Sequence, residues 1–177
     1  YVKTENKSNK IFIVHRLDRD TSGVLVFARS TMVRDVMQEY WHNENHKREY
    51  AALVCGKVDE SKGRIESWLK ENANLQVYSS MRPDDGQHAI THWELLQQND
   101  SFSLLKVIPE TGRRNQIRVH LCDIGFPIVG DRRYGNGQNP IGRLGLHATL
   151  LAFAHPVSGQ MMQFESPVPG SFLRMVK

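Results

Sequence analysis

The segment HRLDRDTSG, residues 15–23, concentrates the side chains in this sequence that could do chemistry. It places acids, bases, hydroxyls and a glycine between two apolar runs, IFIV at residues 11–14 and VLVFA at residues 24–28. Its four Arg and Asp side chains are too costly to bury without partners, so they must face water, each other or a ligand. If a nearby cation holds Asp18 ionised, that carboxylate can act as a nucleophile.

An ordinary turn is the simpler interpretation of this segment, because Asp, Thr, Ser and Gly all favour turns. A functional interpretation needs a second position that requires a buried acid, and Arg118 is such a position. The apolar pattern predicts a helix from about residue 115 to 124, and Arg118 borders its apolar side. A cation there either extends to solvent or pairs with an anion, and Asp18 is an available partner.

Short apolar runs bounded by turn residues predict that a sheet positions these side chains. The two runs that flank HRLDRDTSG are rich in β-branched and aromatic residues and predict buried strands. Ser30 is a predicted N-cap for a helix over about residues 31–43. The polar segment HNENHKRE predicts a loop that ends in Lys47 and Arg48, directly before a strand over residues 49–56.

Further strands follow in a pattern that is typical of one α+β domain. They are predicted at residues 63–69, 74–80, 89–96, 102–109 and 161–165, and residues 144–156 predict either a central strand or a strand pair. So many strands with so few helices predict a largely antiparallel sheet with helices packed on it. Neither a repeat nor a linker divides the chain, so we expect a single domain over residues 1–177.

The composition is typical of a soluble globular protein with a mildly basic surface. Of the 177 residues, 40% are hydrophobic and 24% are charged, and the formal net charge of +4 favours a polyanionic partner. Cys55 and Cys122 lack the spacing of metal ligands and are expected as small apolar side chains in a reducing compartment, the cytoplasm. No apolar stretch is long enough to span a bilayer and no signal peptide opens the chain, so we expect no membrane partner.

Five motifs in sequence order resemble the RluA-type family of pseudouridine synthases. They are HRLDRDTSG, KREYAALVCG, TGRRNQIRVHL, PIVGDRRYG and LGLHA, and the match runs along nearly the whole chain from residue 11. The resemblance implies an α+β fold with a mixed, mostly antiparallel curved sheet, flanking helices and a central cleft. It also implies that RNA is held in the cleft and that a uridine in it is isomerised to pseudouridine.

The resemblance implies roles for five residues. Asp18 matches the catalytic aspartate of the family, and Arg16 matches the arginine that enters the gap left by the flipped nucleotide. Tyr50 matches the tyrosine that stacks on the base and is implicated in proton removal. Arg118 matches the arginine that pairs with the aspartate, and Leu146 matches an apolar contact to the base.

Several cations are candidates for contacts to RNA phosphates, and for each one the alternative is a solvated surface charge. They are Lys47, Arg48, Arg113, Arg114, Arg132 and Arg133. The sequence departs from the family where Arg114-Asn115 stands in place of the usual Thr-His pair. It also begins with Tyr1 and lacks the family's Lys-Pro-x-Gly segment before HRLD, so we expect a single catalytic domain that is missing its N-terminal sheet segment.

The isomerisation breaks the N1–C1′ bond, turns the base and joins C5 to C1′. It involves no redox change and no net atom transfer, so we expect no cofactor and no metal. His88 and His92 are four residues apart in a predicted strand and lack a third ligand. Three roles stay open for Asp18, which are attack at C1′, attack at C6, or assistance to departure of the base as a glycal.

Two alternative functions stay open beside pseudouridine synthesis in ribosomal or transfer RNA. One is a non-catalytic RNA-binding fragment of such an enzyme. The other is a hydrolase that uses Asp18 and Asp20 as a carboxylate pair, although we assign Asp20 to the turn of its own loop. The pattern predicts no obligate protein partner.

Overall fold

Most of the secondary structure in the described part of the chain is β-strand. The computed structural model describes Thr4 and residues 10–42 and 46–177. In these ranges the strands are β1 (Phe12–Ile13), β2 (Ser22–Gly23), β3 (Phe27–Ala28), β4 (His46–Cys55), β5 (Lys62–Glu71), β6 (Val77–Ser80), β7 (Gln87–Gln98), β8 (Phe102–Pro109), β9 (Leu146–Ala154) and β10 (Met161–Glu165). The helices are α1 (Thr31–His42), α2 (Gln116–Asp123) and α3 (Gly170–Met175).

The main sheet is mostly antiparallel, as the sequence predicts. Its strand order is β10-β9-β4-β8-β7-β5-β6, and neighbours along this path are antiparallel. The short strand β2 joins it in parallel with β9, pairing Ser22 with His147 and Gly23 with Ala148. The predicted α+β fold with a mixed, mostly antiparallel sheet is therefore confirmed.

The centre of the sheet is covered on both faces. In β4, Ala52 and Val54 pack toward α2 in one cluster. Leu53, from the opposite face of the strand, packs in a second cluster with Phe172 of α3. This explains the continuous apolar run AALVC, because a strand that is buried on both faces does not alternate between apolar and polar residues.

The strands β1 and β3 are shorter and less buried than predicted. They pair with each other as a separate two-stranded ribbon outside the main sheet. One side of the ribbon packs in a cluster with α1 and β9, which buries Val14 and Ala28. The other side is open, so Ile13 is 64% exposed and Phe27 is 41% exposed.

The predicted loop HNENHKRE is wrong over its second half. Residues 43–45 lie outside the described ranges, and residues 46–49 belong to β4. There Lys47 pairs with Ala152 and Arg48 with Leu151 of β9. The polar strand is possible because β9 is a single long strand, which settles the choice between one strand and a strand pair for residues 144–156.

The helices agree with the sequence pattern except in the C-terminal tail. Ser30 caps α1 through its Oγ, which accepts the Val33 N–H at 3.2 Å. After α2, Gly125 has a φ of 87°, the left-handed conformation expected beyond a helix end. The tail contains α3, which the sequence did not predict, and buries Phe172 completely. No helix in the described part of the chain is long and apolar enough to cross a membrane.

Five polar side chains buried between α2 and the sheet bond to one another. Gln116 donates through Nε2 to Thr91 Oγ1 at 2.9 Å and accepts at Oε1 from the Thr111 hydroxyl at 2.7 Å. His120 Nδ1 lies 2.8 Å from Thr91 Oγ1, and its Nε2 lies 3.0 Å from Ser67 Oγ. These partners satisfy polar atoms that would be costly to bury alone, and they fix the side of α2 that faces the sheet.

We expect folding stability to fall below about pH 6.5, because His120 is buried in its neutral form. Burial lowers the pKa of His120 from 6.5 to about 4, so between these values the unfolded chain binds this proton more readily than the folded chain. The contribution of neutral His120 to the free energy of unfolding is therefore fully present above pH 6.5 and is lost as the pH falls toward about 4. The full shift in pKa corresponds to a loss of about 3 kcal/mol. Urea unfolding at a series of pH values should show a steeper loss for the wild type than for His120→Gln, and equal slopes would contradict the assignment.

Candidate active site

A cleft of about 300 Å³ opens between the β1–β2 loop and the start of α2. It brings together most of the residues that the sequence predicts for the site. Those that line it are Arg16, Asp18, Arg48, Tyr50, Arg113, Arg114 and Leu146. Among the described residues that line the cleft, Asp18 is the single acid.

Asp18 lies in the β1–β2 loop, and β2 holds the end of that loop against the sheet. The Asp18 carbonyl accepts the Thr21 N–H at 3.0 Å, which closes a turn. Gly23 follows with a φ of +118°, and a Cβ there would lie 2.1 Å from the Ala148 carbonyl oxygen. Glycine is therefore required at the end of HRLDRDTSG, because the loop must approach β9 this closely.

Two further residues outside the predicted site hold the same loop. Ser22 Oγ lies 2.6 Å from His147 Nδ1, and His147 Nε2 lies 3.1 Å from Ser166 Oγ. These bonds link the loop that carries Asp18 to β9 and to the segment after β10. Ser22 belongs to HRLDRDTSG and His147 to LGLHA, so both motifs carried a signal for this link.

Arg118 and Asp18 lie in contact, although they are 100 residues apart in the sequence. Arg118 Nη1 donates to Asp18 Oδ2 at 3.3 Å, and the side chains are 15% and 22% exposed. The partly buried cation is next to the acid of the cleft, so it favours the ionised carboxylate and limits its orientation.

The tighter partner of Arg118 is Asp131, which is absent from the predicted site. Arg118 donates through Nε to Asp131 Oδ2 at 2.7 Å and through Nη2 to Oδ1 at 2.8 Å, a bidentate pair. The same Oδ1 accepts the backbone N–H groups of Arg133 and Tyr134 at 2.9 and 3.0 Å. Arg118 therefore bonds to Asp131 as well as to Asp18, the partner that the resemblance implies.

The charges of this pair are stable despite burial. Burial alone would raise the pKa of Asp131, but the bonds from Arg118, Tyr134 and Arg133 outweigh it and hold the pKa below its ordinary value. Burial would likewise lower the pKa of Arg118, but the bonds and charge of Asp131, and then of Asp18, raise it. Both groups therefore stay ionised at neutral pH.

Two more contacts hold the Arg118 guanidinium in place. Nη1 also donates to Asn115 Oδ1 at 3.1 Å, and the guanidinium carbon lies 5.1 Å from the centroid of the Tyr134 ring. With partners on three nitrogens and an aromatic face, Arg118 has little freedom to leave Asp18.

Tyr50 lines the cleft from β4, where the pairing register with β9 shifts between Glu49 and Tyr50. Its pKa is raised, first by burial, with the charge of Arg48 opposing and that of Asp18 adding to the effect. The phenol is therefore neutral at ordinary pH. In this state it is a hydroxyl that can donate or accept a hydrogen bond and only a weak base.

Two of the predicted phosphate contacts are held on the wall of the cleft by backbone carbonyls. Arg48 donates through Nη2 to the Thr111 carbonyl at 3.1 Å, and Arg113 donates through Nε to the His88 carbonyl at 3.0 Å. Gly112 makes room for Arg48, because a Cβ there would lie 2.8 Å from Arg48 Nη1.

The other predicted cations differ in position. Arg114 lines the cleft but pairs with Glu71 at 2.6 Å, and Lys47 pairs with Glu49 at 2.8 Å outside the lining of the cleft. Arg133 donates to the Leu75 carbonyl at 2.8 Å, also outside it. Arg132 is exposed and lines a different cavity.

The acids and histidines that a hydrolase or a metal would need are not brought together. Asp20 is exposed and does not line the cleft that holds Asp18. His88 bonds to Glu66 at 2.7 Å and His92 to Glu110 at 2.5 Å, so each has its own carboxylate. In the described ranges no three His, Cys, Asp or Glu residues are arranged to hold a metal ion.

Comparison with known proteins gives consistent matches. A family model described as RNA pseudouridylate synthase matches residues 1–122. The chain is 41% identical over 159 residues to an uncharacterized RNA pseudouridine synthase from Chloroflexus aurantiacus, covering 89% of this chain and 50% of that protein. It is 30% identical over 179 residues to the ribosomal large subunit pseudouridine synthase D of Pasteurella multocida, covering 93% of this chain and 55% of that protein.

A solved structure has the same fold. The structure titled human RNA pseudouridylate synthase domain containing 4 matches with a TM-score of 0.81 at 23% identity, covering 98% of this chain and 78% of that one. The chain spans 50% to 59% of the length of several curated relatives that it matches.

We expect Asp131→Asn to lower the free energy of unfolding by about 3 kcal/mol, because it leaves the partly buried Arg118 charge without its main partner. The matched control is Glu71→Gln, which removes the acid of the exposed Glu71–Arg114 pair and should cost less than about 1 kcal/mol. Urea unfolding of both variants measures the difference. Equal losses would show that the Arg118–Asp131 pair has no special structural weight.

Proposed function

The chain belongs to the RNA pseudouridylate synthase family, whose model matches more than half of it, and we propose that it isomerises uridine to pseudouridine within RNA. The observation that carries the proposal is the single acid of the cleft, Asp18, which contacts the Arg118 guanidinium while Tyr50 and Leu146 line the same space. An anionic carboxylate beside an aromatic and an apolar side chain suits a reaction at a pyrimidine nucleotide.

The reacting atoms of a uridine are inaccessible within a stacked helix, so the nucleotide must be flipped out of the RNA. The cleft of about 300 Å³ is open to solvent, and Arg16, one of the residues that line it, is exposed. Flipping costs a few kcal/mol, and we propose that Arg16 offsets part of this cost by entering the gap that the nucleotide leaves.

Asp18 is the proposed nucleophile. Its carboxylate has to stay ionised at a site with limited access to water, and Arg118 favours the charged form from 3.3 Å. The Arg118 guanidinium is held in one orientation, because two of its nitrogens are bound to Asp131. The carboxylate of Asp18 is thus held by a cation that is itself immobile, which favours catalysis by preorganisation.

Tyr50 and Leu146 are the proposed contacts to the base. Leu146 is buried and offers an apolar surface, and the Tyr50 ring offers a stacking face. After the base has turned and C5 has joined C1′, the proton on C5 must leave. We propose that the neutral Tyr50 hydroxyl takes part in that proton transfer, either directly or through a water molecule.

We infer that ribosomal RNA is the first substrate to test, because a similar relative is named a ribosomal large subunit pseudouridine synthase. Transfer RNA is the alternative substrate. Within the described chain both cysteines, Cys55 and Cys122, are free thiols, in keeping with an activity in the reducing cytoplasm.

The first test is release of tritium from in vitro transcribed ribosomal RNA that carries uridine tritiated at C5. We expect Asp18→Asn to lower the rate of release more than about a thousandfold, because it removes the charge of the nucleophile. RNA affinity, measured by filter binding, should be retained. Asp20→Asn removes an acid of the same loop outside the cleft and should keep its activity.

Three results would contradict the proposal. Free uracil or cleaved strands would indicate a hydrolase. RNA binding by the wild type without tritium release from either ribosomal or transfer RNA would indicate a non-catalytic RNA-binding protein. Equal activity of the wild type and Asp18→Asn would remove Asp18 from the reaction.

The second test uses Arg118→Lys, which keeps the positive charge. A lysine cannot bond to Asp131 in a bidentate manner and reach Asp18 at the same time. We expect kcat to fall by about tenfold or more, which corresponds to about 1.4 kcal/mol of lost transition-state stabilisation, while RNA affinity changes little. A loss of affinity equal to the loss of kcat/KM would instead assign Arg118 to phosphate binding, and thermal unfolding confirms that the variant is folded during the assay.

A further inference from the structure

A second cavity, of about 340 Å³, adjoins the active-site cleft and has no part in the proposed chemistry. Thr21 of the β1–β2 loop lines both cavities, so they are neighbours. Three arginines line the second cavity, which are Arg19, Arg132 and Arg143. We call it the arginine cavity.

Two of these arginines have no bonded partner in the described part of the chain. Arg19 and Arg132 are exposed, and in the described part of the chain neither makes a hydrogen bond or an ion pair. Several other arginines of the chain do pair with carboxylates, as Arg34, Arg64, Arg114 and Arg118 show. Unpaired guanidinium groups around one cavity create a positive potential that favours an anion.

The third arginine is held in place. Arg143 donates through Nη2 to Ser22 Oγ at 2.5 Å and through Nε to the Leu144 carbonyl at 3.2 Å. Its guanidinium carbon lies 5.5 Å from the centroid of the Phe172 ring. Since Nη1 has no partner among the described residues, a bound anion gains a donor that is already ordered, which reduces the entropy lost on binding.

The balance of charge in the cavity stays positive. Asp20 is the single acid among the residues described as lining it, so three arginines and one carboxylate leave two positive charges. The Asn139 side chain and the Ser22 hydroxyl add neutral polar groups to the wall. Guanidinium groups with neutral donors beside them are the usual surroundings of a bound phosphate.

We propose that the arginine cavity binds one backbone phosphate of the RNA strand whose nucleotide enters the active-site cleft. This inference rests on the proposed function, because it takes RNA as the substrate. The strand carries a phosphate on each side of the flipped nucleotide, and Thr21 lines both cavities. A contact here holds the strand beside the loop that carries Asp18 without touching the reacting atoms.

The test compares two double variants in binding to a short fluorescein-labelled RNA stem-loop whose loop is all uridine. Arg19→Gln/Arg132→Gln removes the two unpaired charges of the cavity and leaves the structural contacts of Arg143 intact. The control, Arg29→Gln/Arg174→Gln, removes the same charge from two exposed arginines that line neither cavity. Affinity is measured over a range of salt concentrations, and kcat is measured by tritium release at saturating ribosomal RNA.

We expect the cavity variant to bind more weakly and to flatten the slope of log affinity against log salt by about 0.7, the value for one phosphate of a single strand. The control should keep both the wild-type slope and the wild-type kcat at saturating RNA. An unchanged slope in the cavity variant, or the same change in the control, would overturn the proposal, and so would a collapse of kcat in a folded cavity variant. If the wild type releases no tritium, the proposed function fails, while the salt slopes still decide whether RNA occupies the cavity.

Discussion

The bidentate bond between Arg118 and Asp131 is the interaction on which the site depends. Asp131 is fully buried, with a side-chain exposure of 0%, whereas Asp18 is 22% exposed. Separating a buried carboxylate from its counter-charge is strongly destabilising, so the Arg118 guanidinium is held in place. Asp18 thereby gains a fixed cation without being buried itself. One acid holds the arginine, and the other stays accessible to a ligand.

The sheet fixes the geometry of the contact between Arg118 and Asp18, because these two residues come from distant parts of the chain. On one side, Gln116 and His120 bond to polar groups buried in the sheet and fix the helix that carries Arg118. On the other side, Ser22 and Gly23 hold the loop of Asp18 against β9. His120 serves this purpose as a neutral group, so the network adds no charge that would disturb the pair nearby.

Local patterns predicted most of the strands and the helices α1 and α2, because these depend on periodicity. The contact between Asp18 and Arg118 was implied by the motifs that carry the family resemblance. Asp131 was missed, although it lies in the motif PIVGDRRYG. It stands beside Arg132 and Arg133 in the sequence, which is typical of a solvated surface, and only the tertiary fold shows that it is buried. The exposure of β1 and β3 is equally non-local, since an apolar run does not reveal whether one or both of its faces will be covered.

The distribution of charge around the cleft is compatible with the proposed reaction of an acid beside a polyanion. Asp18 would repel the phosphates of an RNA strand if its charge were uncompensated, and the repulsion would be strongest where water is excluded. Arg118 opposes this repulsion at 3.3 Å while it keeps the carboxylate ionised. Arg113 is held by a backbone carbonyl, which orients its guanidinium without neutralising it. The surroundings of Asp18 can therefore attract RNA, although the proposed reaction needs a negative charge at their centre.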